Sequence, residues 1–188
     1  FYDSFSSHTW VEIEEGRVAV LRLKGPLGAL DIWVNYLCAN NNISRAASLL
    51  AAGEHIAPQV DVLSIFFGYL NFVEHDQDRL QNATGKWTGH SNADNTRVFD
   101  HAIRSKFGFA EWAQSEHTCE MALARSRLDR VYVNLFEADN LDMHTECSVL
   151  AFPHGLSTHR PIVFARRTEK IRSEHSLPPL PTWAFEHS

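Results

Sequence analysis

The run Val60-Asp61-Val62-Leu63-Ser64-Ile65-Phe66-Phe67 is dominated by β-branched, aromatic and apolar side chains, and it stops at Gly68, just before Tyr69-Leu70-Asn71-Phe72. A short apolar run closed by glycine and polar residues predicts a core strand that delivers side chains to a site at its end. Leu156-Ser157-Thr158-His159-Arg160-Pro161 turns from apolar to small and polar just as abruptly. The two stretches are read together, as strand ends serving one site.

The segments between them set the fold class. Arg17 to Leu23 and Ala29 to Leu37 flank a Gly-Pro turn and read as a hairpin. Asn40, Asn41 and Asn42 supply a turn and a helix cap, after which Ile43, Ala46, Ala47, Leu49 and Leu50 recur at helical spacing until Gly53. Strand, helix, strand in this order favours a layered α/β fold. From Asn71 to Asn95 the chain is polar and aperiodic, as in a long loop beside a site. Thr96 is expected to cap a second helix, with Val98, Ala102, Ile103 and Phe107 on one face and Gly108 as its stop. Leu128 to Val133, Ser148 to Phe152 and Pro161 to Ala165 read as further strands. Residues 1–10 read as a frayed edge. Residues 167–188, charged and then Pro-rich, read as a linker, which leaves one domain over 1–166.

Composition narrows the partners. With 17 basic and 23 acidic residues, net −6, the chain has no global attraction for nucleic acid, so any phosphate recognition is local. No apolar run approaches the roughly 20 residues that span a bilayer, so no membrane partner is expected. Cys38, Cys119 and Cys147 share no metal-binding or CxxC spacing and read as free buried thiols in a reducing, intracellular compartment.

Gly68-Tyr69-Leu70-Asn71 resembles the GDFN strand end of the endonuclease/exonuclease/phosphatase superfamily of DNase-like enzymes, and Ser157-Thr158-His159-Arg160-Pro161 resembles its terminal SDHRP box. The stretch following Asn71, together with Ser126-Arg127-Leu128-Asp129-Arg130, is most similar to the endonuclease domains of non-LTR retrotransposons. Over residues 17–165 the motifs follow the family's order. The resemblance implies a two-sheet α/β sandwich, mostly antiparallel, with the family's first strands missing before Arg17. It also implies hydrolysis of DNA phosphodiesters with Mg²⁺ or Mn²⁺, DNA as partner, and a reverse transcriptase domain in the same parent polyprotein. A phosphatase or sphingomyelinase relative is a further possibility.

By the same resemblance Asn71 holds the attacking water or the scissile phosphate, His159 polarises the phosphate, Asp129 orients that imidazole, and Tyr36 lies near the phosphate. Three of these have plainer alternatives: a backbone cap for Asn71, an ion pair with Arg127 or Arg130 for Asp129, core packing for Tyr36.

The departures fall on carboxylates. Tyr69 and Thr158 stand where the family keeps Asp, and neither serves as a carboxylate base or strong metal ligand near neutral pH. Glu12, Glu14 and Glu15 are substitutes by proximity only, and Glu74, Asp76 and Asp78 read as a solvated acidic loop. The expected function is therefore an impaired nuclease of retroelement origin, or alternatively a non-catalytic nucleic-acid or protein interaction domain. Missing strands would expose apolar surface, so poor solubility or dimerisation is expected.

Overall fold

The computed structural model describes residues 5–58, 60–89, 93–112, 114–135, 145–151 and 157–166. In chain order the strands and helices begin with β1 (Ser7–Glu14), β2 (Val18–Gly25), β3 (Gly28–Tyr36), α1 (Asn42–His55), β4 (Leu63–Tyr69) and β5 (Arg79–Gln81). A helical segment follows as α2 (Ala93–Phe99), a π turn (Asp100–Arg104) and α3 (Ser105–Phe107). The chain continues through β6 (Ala110–Glu111), β7 (Cys119–Glu120), β8 (Ala124–Ser126), β9 (Asp129–Val133), β10 (Thr145–Val149) and β11 (Ile162–Arg166).

A six-stranded sheet runs β1-β2-β3-β4-β9-β6. Only β3 and β4 pair in parallel, and the crossover this requires is α1. β10 and β11 form a separate antiparallel pair, and β5, β8 and β7 a small third sheet. Among the described residues this is an α/β architecture of mostly antiparallel sheets.

Alternation along the central strands assigns the two faces of the large sheet. Val18, Val20, Trp33, Phe66 and Tyr132 are fully or almost fully buried, in one core cluster with Leu49 and Ala52 of α1 and with Phe99 and Ile103. On the opposite face Ile32, Ile65, Phe67 and Val131 line a cavity of about 670 Å³, shared with Ile162 and Phe164 of β11.

Several expectations are corrected. The supposed frayed edge contains β1, which pairs with β2 in register from Ser7 against Lys24, so a strand does precede Arg17. Asn41 caps α1 by accepting the Ser44 N–H, but Ile43 and Leu50 are exposed. The helix instead buries Arg45, Ser48, Leu49, Ala52 and Gly53, since a buried Arg with enough carbonyl partners serves as core. Arg45 donates to the Cys38 and Ala39 carbonyls at 2.7 and 2.8 Å and to Asn95 Oδ1 at 3.1 Å. Thr96 lies inside α2 rather than capping it, whereas Gly108 ends the segment with φ of 68°. The stretch 71–95 contains a 3₁₀ turn at Asp76–Asp78, β5 and the start of α2. Cys119 is buried, but Cys38 and Cys147 are only half-buried. Phe152 and residues 167–188, read as a linker, lie outside the described residues.

The largest correction concerns the acidic loop. Glu74 and Asp78 are buried, not solvated. Asp78 pairs with Arg127 at 2.8 Å and with Arg130; Glu74 pairs with Arg104 and accepts the Tyr132 hydroxyl at 2.6 Å. Arg130, fully buried, also reaches Glu111 at 3.0 Å. Burial alone would raise the Asp78 carboxyl. Arg130, the His75 and Glu74 backbone N–H groups and Arg127 outweigh it and hold the group at about 2.

Removing this carboxylate leaves buried guanidinium charge uncompensated, a loss of roughly 3–5 kcal/mol. Asp78→Asn should therefore lower the unfolding free energy by about that amount in urea titrations. A depressed carboxyl pKa contributes stability that is fully present above its ordinary value of 3.8 and is lost as pH falls toward 2. The gap between parent and variant should be flat above 3.8 and narrow below it.

Candidate active site

The site forms where β4 ends. Gly68 has φ of 137°, and a Cβ there would fall 2.0 Å from the Asn35 carbonyl oxygen on the neighbouring strand, so only glycine fits. Asn71, with φ of 59°, takes the left-handed turn that follows. Its Nδ2 donates to the Leu37 carbonyl at 2.7 Å. Asn71 thus ties the end of β3 to the end of β4, the backbone role that a buried turn asparagine commonly plays, while its side chain lies at the edge of the site.

The second element arrives through the segment 158–160, which pairs with the β7 region. Glu120 donates its N–H to the Thr158 carbonyl at 2.8 Å, and Arg160 donates its N–H to the Thr118 carbonyl at 2.7 Å. This pairing sets His159 opposite Cys119 and over the start of β9. His159 Nδ1 lies 2.9 Å from Asp129 Oδ2, with both side chains partly buried. Arg127 and Arg130 pair with Asp78 and Glu111 instead of Asp129.

Tyr69 fills the space beside His159. Their rings meet edge to face with centroids 4.5 Å apart, and the exposed Tyr36 ring lies 5.6 Å from Tyr69 on the other side. Burial, chiefly, with Cys119 and Asp129 adding to it, pushes the Tyr69 phenol up to about 12, so it stays a neutral phenol at neutral pH. Thr158 is exposed and engages through its backbone carbonyl. The structure therefore brings Tyr36, Tyr69, Asn71, Asp129 and His159 into one cluster at the ends of β3 and β4 and the start of β9.

Two supporting residues carry no sequence signal of their own. Thr118, fully buried, donates its hydroxyl to Asp129 Oδ2 at 2.7 Å and accepts the N–H groups of Leu128 and Asp129 at 3.2 and 3.1 Å. Gln114 donates to the Asp129 carbonyl at 2.7 Å. Thr118 sits in an aperiodic connection, and only the fold shows that this connection runs beside β9.

The donor set does not fit a divalent metal. Mg²⁺ is held by carboxylate and carbonyl oxygens, but Oδ2 of Asp129 is already engaged by Thr118 and His159. Among the described residues no group of three or more His, Cys, Asp or Glu is placed to hold an ion. Glu12 is used locally, accepting the Gly16 N–H at 2.9 Å. Among the described residues, no helix is long and apolar enough to cross a membrane.

No protein-family model matches the chain, nor does any curated protein. Solved structures do. An AP endonuclease from Archaeoglobus fulgidus superposes with a TM-score of 0.59 at 13% identity, covering 88% of this chain and 69% of that one. The endonuclease domain of TRAS1, a telomere-specific non-LTR retrotransposon, gives 0.59 at 14% identity, covering 87% and 69%. D. rerio TDP2, solved with a single-strand DNA product, gives 0.54 at 14% identity, covering 85% and 66%. The chain shares the fold of these solved structures, an α/β fold of DNase-like type.

Thr118→Val should cost about 1–3 kcal/mol in chemical denaturation, because two backbone N–H groups and a carboxylate lose their partner. Thr118→Ser, which keeps the hydroxyl, should recover most of that loss.

Proposed function

We propose that this chain is a nuclease domain of DNase-like descent, adapted to DNA and of retroelement origin, whose own phosphodiester cleavage is impaired. The carrying observation is the Asp129–His159 pair at 2.9 Å beside Asn71 at the end of β4. An imidazole whose Nδ1 is held by a carboxylate is fixed in tautomer and ring orientation, and it presents Nε2 as a partner for a phosphoryl oxygen. Thr118 braces that carboxylate and Gln114 its backbone carbonyl, and Asn71, whose amide holds the Leu37 carbonyl, lies at the neighbouring strand end. Attack on an anionic phosphodiester also needs a base for the water and a cation for the developing charge. Tyr69 and Thr158 provide neither, and the residues present do not fit Mg²⁺ or Mn²⁺. Loss of the base alone costs about 10²- to 10⁴-fold in rate.

A second reading, a non-catalytic nucleic-acid or protein interaction domain, is favoured by one observation: the space beside His159 is filled by the neutral Tyr69 ring. A reverse transcriptase domain in the same polyprotein and an intracellular setting belong to the retroelement reading.

Plasmid nicking with Mg²⁺ or Mn²⁺ tests the proposal. The parent should give no metal-dependent nicking above background, and Tyr69→Asp/Thr158→Asp should gain it and lose it again on His159→Ala. Nicking by the parent that disappears in His159→Ala would overturn the impairment. Silence in both the parent and the double variant would overturn the claim that the site's geometry survives.

A further inference from the structure

Of the row of side chains that closes the sheet at this end, the nuclease reading uses Asp129, gives Tyr36 only a place near the phosphate and leaves Arg17 without a role. Arg17, immediately before β2, accepts the Tyr36 N–H on its carbonyl at 2.8 Å and so stands level with the end of β3. In the strand register Tyr36 lies opposite Tyr69, and Tyr69 lies opposite Asp129. The row Arg17, Tyr36, Tyr69 and Asp129 therefore crosses four adjacent strands, a span of about 14 Å at the usual strand spacing. Within it the Arg17 guanidinium lies 5.4 Å from the Tyr36 ring centre, the two tyrosine rings are tilted by 36° at 5.6 Å, and Tyr69 continues into His159. Tyr36 is 56% exposed, so one large aromatic surface in the row is open to solvent beside a cation.

We infer that this row is a metal-independent binding strip for single-stranded nucleic acid, with unpaired bases stacking on Tyr36 and the backbone phosphates drawn to Arg17. The inference takes from the reading above only the class of polymer. The aromatic face selects single strands, because a base in a duplex has its faces covered by its neighbours. It is tolerant of sequence, because every base has a π face. Arginine beside the ring supplies both the phosphate charge and a planar group that stacks. A neutral ring at position 69, where a carboxylate would repel phosphate, lengthens the strip instead of interrupting it. With a net charge of −6 the attraction is confined to the strip, so few counterions are released on binding.

The test is fluorescence anisotropy of a fluorescein-labelled oligo(dT) and of a labelled duplex, with the whole chain in EDTA. The single strand should bind more tightly than the duplex. Tyr36→Ala should weaken single-strand binding about tenfold, and Tyr36→Trp should retain it. Arg17→Ala should flatten the slope of log affinity against log salt by about 0.7, the contribution of one phosphate. Absence of single-strand binding in EDTA, equal binding by Tyr36→Ala, or preference for the duplex would overturn the inference. Nicking by the Tyr69→Asp/Thr158→Asp variant without single-strand binding by the parent removes this inference alone. Binding in EDTA with no nicking by any variant removes the nuclease reading alone.

Discussion

The site depends on a set of charges it does not touch. Arg130 is fully buried behind the start of β9, and Asp78, Glu74 and Glu111 converge on it. These carboxylates come from the loop after β4 and from β6, so one guanidinium ties two separate chain segments to the strand that begins at Asp129. Carrying that many ions into the interior is favourable only when each is paired and hydrogen-bonded. The Tyr132 hydroxyl and the His75 and Glu74 N–H groups complete the pairing. The cluster fixes the register of β9 and thereby the height at which Asp129 meets His159.

From that anchor the edge at the end of β4 follows by short-range constraints. Gly68 permits the close approach of β4 to Asn35, Asn71 turns the chain and bonds back to Leu37, and Thr118 holds Asp129 from the opposite side. None of these contacts requires a metal or a charged residue at 69 or 158. The frame of the site is therefore separable from the side chains at 69 and 158, because the frame's own carboxylates are those around Arg130.

The same separation explains what was legible in the residues. The apolar run ending at Gly68, the hairpin before it and the helix stop at Gly108 all express local rules, and each appears close to its expected place. Asp129 and His159 are legible from their motifs, and the fold sets them in hydrogen-bond contact across 30 positions of sequence. The acidic loop was misjudged because composition cannot reveal that Arg104, Arg127 and Arg130 return to meet it from residues far along the chain. The buried face of α1 departs from the periodicity for a related reason: Arg45 counts as polar in any periodicity, yet three oxygens from neighbouring segments and one from its own helix make it core. Thr118 left no trace because a single hydroxyl in an aperiodic segment gains meaning only from the strand beside it.

Tyr69 is where fold and function part. A phenol held protonated up to about 12 and packed edge-on against His159 gives neither a base nor a metal ligand, yet it costs the fold little, because it joins Tyr36, Val73, Cys119 and Leu128 in apolar contact. An aspartate there would bring a second carboxylate close to Asp129 and would need a cation to offset the repulsion. With tyrosine the requirement disappears and an aromatic surface takes its place. A ring at this position thus gives a strand end that is packed without a metal, and its aromatic surface is continuous with the exposed Tyr36.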